Sequence, residues 1–412
     1  MNPSPRVSES KGGSSWLTRN VLSFGLSSFF SDLSHELVTA LLPGFLLTLG
    51  APPIGLGLIE GISNFGQSLA EFWGGREADR SSNRVPLMNA GYLATALKAA
   101  IALVPSWPWI IVIRTVAWLG RGARGPLRSA MIADEVDRHD WGKAYGFREA
   151  LDTLGAVVGP LLAVLLLSRF HYRALIGLSI IPAAIAVVFV ALMIREVPHR
   201  LSRPPSLDLR PADYSPMFRR FLLGATLFAV GYAAPTFFIL RATQLLHSHG
   251  AVTAGMLAIG LYTVHNVFYA LASFPTGSLA DRMSPRYLLI AGYLLWTAVL
   301  WAFAAGPSNL ALLGLLFIVS GMATALIETI QTTWGALLLA EESRGRGLGL
   351  LSALTGFGQF GSGLMLGLVW TQASAAPAFI ISGVMALTGL LITQTIPPGS
   401  LAAQSGELGG GT

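Results

Sequence analysis

Long apolar runs, broken at regular intervals by glycine, proline and arginine, dominate the pattern of this chain. From Tyr287 to Ile327 no Asp, Glu, Lys, Arg or His occurs, which is far more than one buried helix needs. About twenty helical residues cross a hydrocarbon core of roughly 30 Å, so this run holds two crossings and a turn. Gly347 to Gly406 is likewise uncharged, and Thr371 to Pro377 divides it into two more. The same signals along the whole chain predict twelve spans: Val21 to Leu49, Pro53 to Gly74, Pro86 to Val104, Trp107 to Leu119, Tyr145 to Leu167, Ala174 to Ile194, Phe218 to Leu240, Val252 to Thr276, Tyr287 to Ala305, Leu310 to Leu338, Leu348 to Trp370 and Ala378 to Ile396. The fourth is ended at Leu119 because a run of arginines begins at Arg121.

Charge follows the turns. Arg76, Arg80 and Arg84, then Arg138 and Lys143, Arg282 and Arg286, and Arg344 and Arg346 all fall in alternate connections, whereas the opposite ones hold little beyond Arg169 and Arg173. Arginine-rich connections stay in the cytoplasm, so both termini are expected inside. The stretch from Arg195 to Arg220, with five prolines and six arginines, reads as a linker. An internal repeat supports a division there. Gly75-Arg-Glu-Ala-Asp79-Arg80 with Arg84 recurs 202 residues later as Gly277-Ser-Leu-Ala-Asp281-Arg282 with Arg286. Gly146, Ala150 and Gly155 recur 203 residues later as Gly349, Ala353 and Gly358. The expectation is an all-α membrane protein of about twelve helices in two pseudo-symmetric six-helix bundles. Its parts are a cytoplasmic tail (1–18), a first bundle (19–194), a cytoplasmic linker (195–217), a second bundle (218–396) and a second tail (397–412).

Composition agrees and removes other classes. Charged residues make up 12 % and hydrophobic ones 53 %, against the roughly 25 % charged expected of a soluble chain. Cysteine is absent, so disulfides and thiolate metal sites are excluded. The start carries no signal-peptide pattern. The net charge of +6 is distributed by topology and not clustered with aromatics, so nucleic acid is not an expected partner. No G-x4-G-K-[ST] loop occurs, which argues against ATP hydrolysis.

The two loop copies resemble the signature loop G-x-L-A-D-R-x-G-R-K of the major facilitator superfamily, and the resemblance extends from about Val21 to Ile396. Gly75, Ala78, Asp79, Arg80 and Arg84 match it, with Glu77 and Ser82 as departures. Gly277, Asp281, Arg282 and Arg286 form the second copy, with Ser284 at the second glycine. The resemblance implies a latch in which Asp79 ties one half to the other in one access state, where a plain orientation signal would need no aspartate. Gly146, Gly155, Gly159 and Pro160 are similar to the helix-5 pattern G-x8-G-x3-G-P of the drug:proton antiporters in that superfamily, although Ala163 and Val164 replace its trailing glycines. Such glycines also suit ordinary helix packing. Arg114 resembles the intramembrane arginine of those exporters, but Gly120 and Gly122 follow two residues too late.

Ionisable residues inside spans are costly and mark solute or ion pathways. Asp32, His35 and Glu36 share helix 1, and the two carboxylates lie one turn apart, so they are expected to share a proton, with Arg114 as counter-charge. Glu60, Asn64, Gln67 and Glu71 form one stripe that either lines a cavity or seals a helix contact. Glu328 and Gln331 lie well inside helix 10. Arg148 and Asp152 are read as an internal ion pair, and Lys98 as snorkelling or pairing with a helix-2 carboxylate. The pattern points to a secondary transporter of the inner membrane, a proton-coupled exporter of a small solute, with no catalytic residues, cofactor or bound metal. Its expected partners are that solute, protons and the bilayer, with the chain acting as a monomer. Export of a metal ion or chelate, a polytopic membrane enzyme and a non-transporting sensor are the alternatives.

Overall fold

A computed structural model describes residues 16–198, 214–280, 282–340 and 343–397. All regular structure among them is helical. The first half holds α1 (Arg19–Thr48), α2 (Pro53–Arg80), α3 (Arg84–Ala96), α4 (Pro108–Glu135), α5 (Trp141–Leu167), α6 (Tyr172–Leu178) and α7 (Ile180–Met193). The second holds α8 (Pro216–Gly231), α9 (Pro235–Leu245), α10 (Ala251–Ala280), α11 (Pro285–Ala305), α12 (Leu310–Leu337), α13 (Arg344–Gln372) and α14 (Ala375–Gln394). Proline occupies the first turn of α2, α4, α8, α9 and α11, where its missing amide costs nothing.

Three crossings are compound. A 3₁₀ segment, Leu97–Leu103, continues α3, while α6 with α7 and α8 with α9 each make one crossing with a break inside it. Carbonyls released by a break need partners at this depth. Ser34 Oγ donates to the Ser179 carbonyl at 2.7 Å, and Ser362 Oγ donates to the Tyr232 carbonyl at 2.7 Å. These elements make twelve crossings among the described residues. Among the described residues seven are, by length and composition, apolar enough to span a membrane: α5, α6 with α7, α8 with α9, α10, α11, α12 and α14. The others include α1, α2 and α4, which carry the buried charges described below.

The repeat extends to whole elements. α4 and α12 are both 28 residues long and start 310 − 108 = 202 residues apart, while α5 and α13 start 344 − 141 = 203 apart. α2 packs against α13 and α5 against α10, so the halves meet through equivalent pairs. The two six-crossing halves are those the sequence predicts, with one boundary corrected. α4 does not stop at Leu119 but continues to Glu135, because its arginines face inward.

The two ends of the molecule differ. At the end away from the linker, here the far end, α2 and α13 touch backbone to backbone: a Cβ on Gly57 would fall on the Gly363 carbonyl, and one on Gly367 would lie 2.9 Å from Ile54 Cα. The Ile54 amide donates to Thr371 Oγ1 at 2.9 Å, and the Tyr172 ring fills the space beside Gly44 of α1 and Gly255 of α10. At the linker end α5 and α10 part. Phe274 is 84 % exposed, and nothing lies within 4 Å of a Cβ added at Gly142, Gly146 or Gly277.

Gly57→Val should therefore pry the far end open. In this cysteine-free chain, Thr39→Cys should react about tenfold faster with an impermeant thiol reagent applied from the side that labels Ser248→Cys, the effect of ~1.4 kcal/mol of lost closure. Unchanged reactivity would contradict the close contact.

Candidate functional site

The parted end leads to a cavity of about 380 Å³ between the halves. It is lined by Asp32, His35 and Glu36 of α1, Glu60, Asn64 and Gln67 of α2, and Arg114, Trp118 and Arg121 of α4. Glu149 and Asp152 of α5 complete the first half's wall, and Tyr232, Tyr262, His265, Asn266, Tyr269, Glu328 and Gln359 form the other wall. A second cavity of about 350 Å³ adjoins it through Tyr232, Glu328 and Gln359, and holds Gln331 with the apolar Phe228, Ile327, Leu348 and Leu351. All nine pathway positions named from the sequence thus line one space or the other.

Their pairing differs from expectation. Asp32 and Glu36 do not share Arg114. Both carboxylate oxygens of Asp32 accept from Arg121, with Nη2–Oδ2 at 3.0 Å. Arg114 Nη2 instead donates to Glu60 Oε1 at 2.8 Å and lies 4.0 Å from the Trp118 ring centre. Trp118 Nε1 donates to Asn64 Oδ1 at 3.1 Å, and the His35 ring packs on the same indole at 4.3 Å. Among the described residues Glu36 bonds no arginine: Oε2 accepts from the Tyr262 hydroxyl at 2.8 Å and Oε1 lies 3.7 Å from His35 Nε2. Glu328 similarly accepts from the Tyr269 hydroxyl at 2.9 Å. The α2 stripe serves both readings left open above. Glu60, Asn64 and Gln67 line the cavity, while Glu71 accepts from Gln67 at 2.9 Å and from Ser352 of α13 at 3.1 Å, a contact between halves.

The sequence reading missed the arginine stripe of α4. Arg114, Arg121, Arg124 and Arg128, at steps of seven, three and four, share one helix face. Arg124 Nη2 donates to Ser31 Oγ at 2.7 Å with its guanidinium 3.9 Å from the Tyr92 ring centre, and Arg128 donates to Ser28 Oγ. The spacing itself, matched by Ser28, Ser31 and Asp32 on α1, was the available signal. Lys98 neither snorkels nor meets an α2 carboxylate; it is fully buried, with Nζ 3.5 Å from the Ser31 carbonyl. Arg148 pairs with its neighbour Glu149, not with Asp152, which faces the cavity.

Of the helix-5 glycines, Gly155 and Gly159 set α5 against α1, where added Cβ atoms would lie 2.9 Å from Leu33 N and 2.7 Å from Leu33 O, while Gly146 faces open space. The first signature loop is tied within its own half. Arg84 bonds Asp134 and the Ala78 carbonyl, and Glu196 Oε2 accepts from the amides of Arg84 and Val85 at 2.9 Å each. Among the described residues Asp79 has no hydrogen-bond or ion-pair partner. Gly75 lies 4.0 Å, measured from an added Cβ, from Pro126, and Arg80 ends α2. In the second copy Arg286 donates to the Gln394 carbonyl at 2.6 Å, Gly277 is open, Arg282 follows α10, and Asp281 lies outside the described residues.

Residues 24–263 and 243–409 match the family model of the Major Facilitator Superfamily. The chain belongs to that superfamily. A facilitator of Methanocaldococcus jannaschii, described as an uncharacterized MFS-type transporter, is 28 % identical over 382 residues, covering 91 % of this chain and 94 % of that one. Multidrug resistance protein MdtG of Escherichia fergusonii is 26 % identical over 342 residues, 79 % of this chain and 81 % of its own. Among solved facilitator structures, a mutant of the nucleoside transporter NupG superposes with a TM-score of 0.78 at 14 % identity, covering 92 % of this chain and 99 % of NupG. A bacterial homologue of the human lysosomal transporter Spinster, inward-facing and occupied, gives 0.74 at 16 % identity, with 93 % and 97 % covered. These two likenesses establish the fold. This facilitator is a transporter and not an enzyme.

The Arg114–Glu60 pair is buried, with side chains 1 % and 6 % exposed. Removing one partner of such a pair costs about 3–5 kcal/mol because the other charge is stranded. Arg114→Ala should therefore lower the melting temperature of the purified facilitator by several degrees, and adding Glu60→Gln should recover most of the loss. A parent-like melt for Arg114→Ala would contradict the pairing.

Proposed function

We propose that this facilitator exports a small cationic or amphipathic solute in exchange for protons, by alternating access. One observation carries the reading. Six carboxyl side chains line the main cavity (Asp32, Glu36, Glu60, Glu149, Asp152 and Glu328) against two arginines, Arg114 and Arg121, each already committed to a carboxylate. Glu36 and Glu328 are bonded to tyrosine hydroxyls and, among the described residues, to no arginine. A low-dielectric cavity does not keep several free carboxylates ionised together, so it holds either protons or a cation. Competition for the same carboxyl groups makes loading of solute and proton mutually exclusive, which is antiport.

Direction follows from charge. The arginine-rich connections lie at the linker end, and their asymmetry supports a cytoplasmic linker end with both termini inside. The cavity then receives solute from inside the cell, and the unpartnered Asp79 fits a latch that closes only when the linker end does. The likeness to a protein named for multidrug resistance favours export. The metal-ion alternative is less well supported, since among the described residues no three His, Asp or Glu side chains converge in ligating geometry.

Proteoliposomes test the reading, with tetraphenylphosphonium as cationic probe. An imposed pH gradient should drive its accumulation in the parent. Glu36→Gln should lose that response by about tenfold or more while keeping probe-for-probe exchange, since a neutral amide still fits the site but carries no proton. Parent transport indifferent to the gradient sinks proton coupling. Full coupling retained in both Glu36→Gln and Asp32→Asn moves the site elsewhere, with Glu328 next in line.

A further inference from the structure

Two side chains of α10, one helical turn apart, reach across the division between the halves. Tyr262 gives its hydroxyl to Glu36 Oε2 of α1 at 2.8 Å, and Asn266 gives Nδ2 to the Ala156 carbonyl of α5 at 2.8 Å. Both are buried, 5 % and 7 % exposed. The second acceptor exists because of a proline. In a regular helix the Ala156 carbonyl receives the amide of residue 160, and Pro160 has none. A carbonyl left bare at this depth is costly, so it draws a donor from outside its own helix. That donor comes from the opposite half.

We propose that Tyr262 and Asn266 form a two-point clasp that holds the far end shut, with Asn266 as a positioning residue whose acceptor Pro160 creates. Opening the far end separates α10 from α1 and α5 and breaks both bonds. Because one of the two acceptors is Glu36, a solute cation that takes this carboxylate withdraws it from Tyr262 and leaves the Asn266 bond as the remaining tie. Occupancy of the cavity and release of the far end are thereby linked. This last step rests on the reading of Glu36 as part of the solute and proton site; the clasp itself rests on the two hydrogen bonds.

Distances between spin labels test it, since the chain has no native cysteine. Ser168→Cys with Ser248→Cys spans the two halves at the far end, and Asp137→Cys with Met283→Cys spans them at the linker end. On this background Asn266→Ala and Tyr262→Phe should each raise the population with a long far-end distance by about fivefold, with a matching shortening at the linker end. Pro160→Ala restores the helical partner of Ala156, so it should shift the same populations, and adding Asn266→Ala to it should produce little further change. Parent-like distances in both Asn266→Ala and Tyr262→Phe, or full additivity of Asn266→Ala with Pro160→Ala, would overturn the clasp. Should Asn266→Ala not fold, Tyr262→Phe and Pro160→Ala carry the test, and parent-like distances in both overturn it equally. The distances need neither solute nor gradient, so their failure sinks the clasp and leaves proton coupling to its own flux assay.

Discussion

A charge buried in a membrane protein must be answered from within, and in this chain the answer is given mostly by α1. Arg114, Arg121, Arg124 and Arg128 present a cationic stripe on α4 that lipid does not tolerate. Glu60 takes the first, Asp32 the second, and the hydroxyls of Ser31 and Ser28 the remaining two, with Tyr92 lying under Arg124. These bonds fix the register of α1 against α4. They also decide which acids are spent. Asp32 and Glu60 are neutralised, whereas Glu36, one turn beyond Asp32, is handed to a tyrosine of the other half. The polarity of the cavity is thus a residue of how the first half solves its own desolvation problem.

Much of this was legible in the sequence, and the failures share a cause. Crossing number, the repeat, the fold and the cavity positions Asp32, Glu36, Glu60 and Glu328 follow from span length, spacing and the cost of burying charge. Partner choice does not follow. Arg114 was the natural counter-charge for Asp32 on sequence grounds, and it binds Glu60 because the two lie level across α2 and α4. The arginines after Leu119 look like an exit from the membrane, since charge is the ordinary signal for one. Only the facing serines show that this segment is interior. Tyr262 and Tyr269 left no signal, because an isolated tyrosine in an apolar run is ordinary.

Two helix defects sit at the cavities or between the halves. The interruption between α8 and α9 puts Tyr232 on both cavities, and its freed carbonyl is satisfied by Ser362 of α13. Pro160 does the opposite, leaving a carbonyl that only the other half fills. One defect is sealed within its half and the other is shared between halves. Bonds of the second kind are the ones an access change has to break, so the sequence features that weaken a helix locally also place the contacts that distinguish the states.

The central claim is that solute and proton compete for the arginine-free carboxyls of one cavity, with Glu36 foremost. The most direct measurement is proton release when tetraphenylphosphonium binds purified protein in weakly buffered detergent solution, where no gradient and no transport intervene. The account predicts about one proton released per probe bound by the parent, falling with rising pH, and almost none by Glu36→Gln at matched occupancy. Binding without proton release in the parent, or equal release by Glu36→Gln, would contradict it.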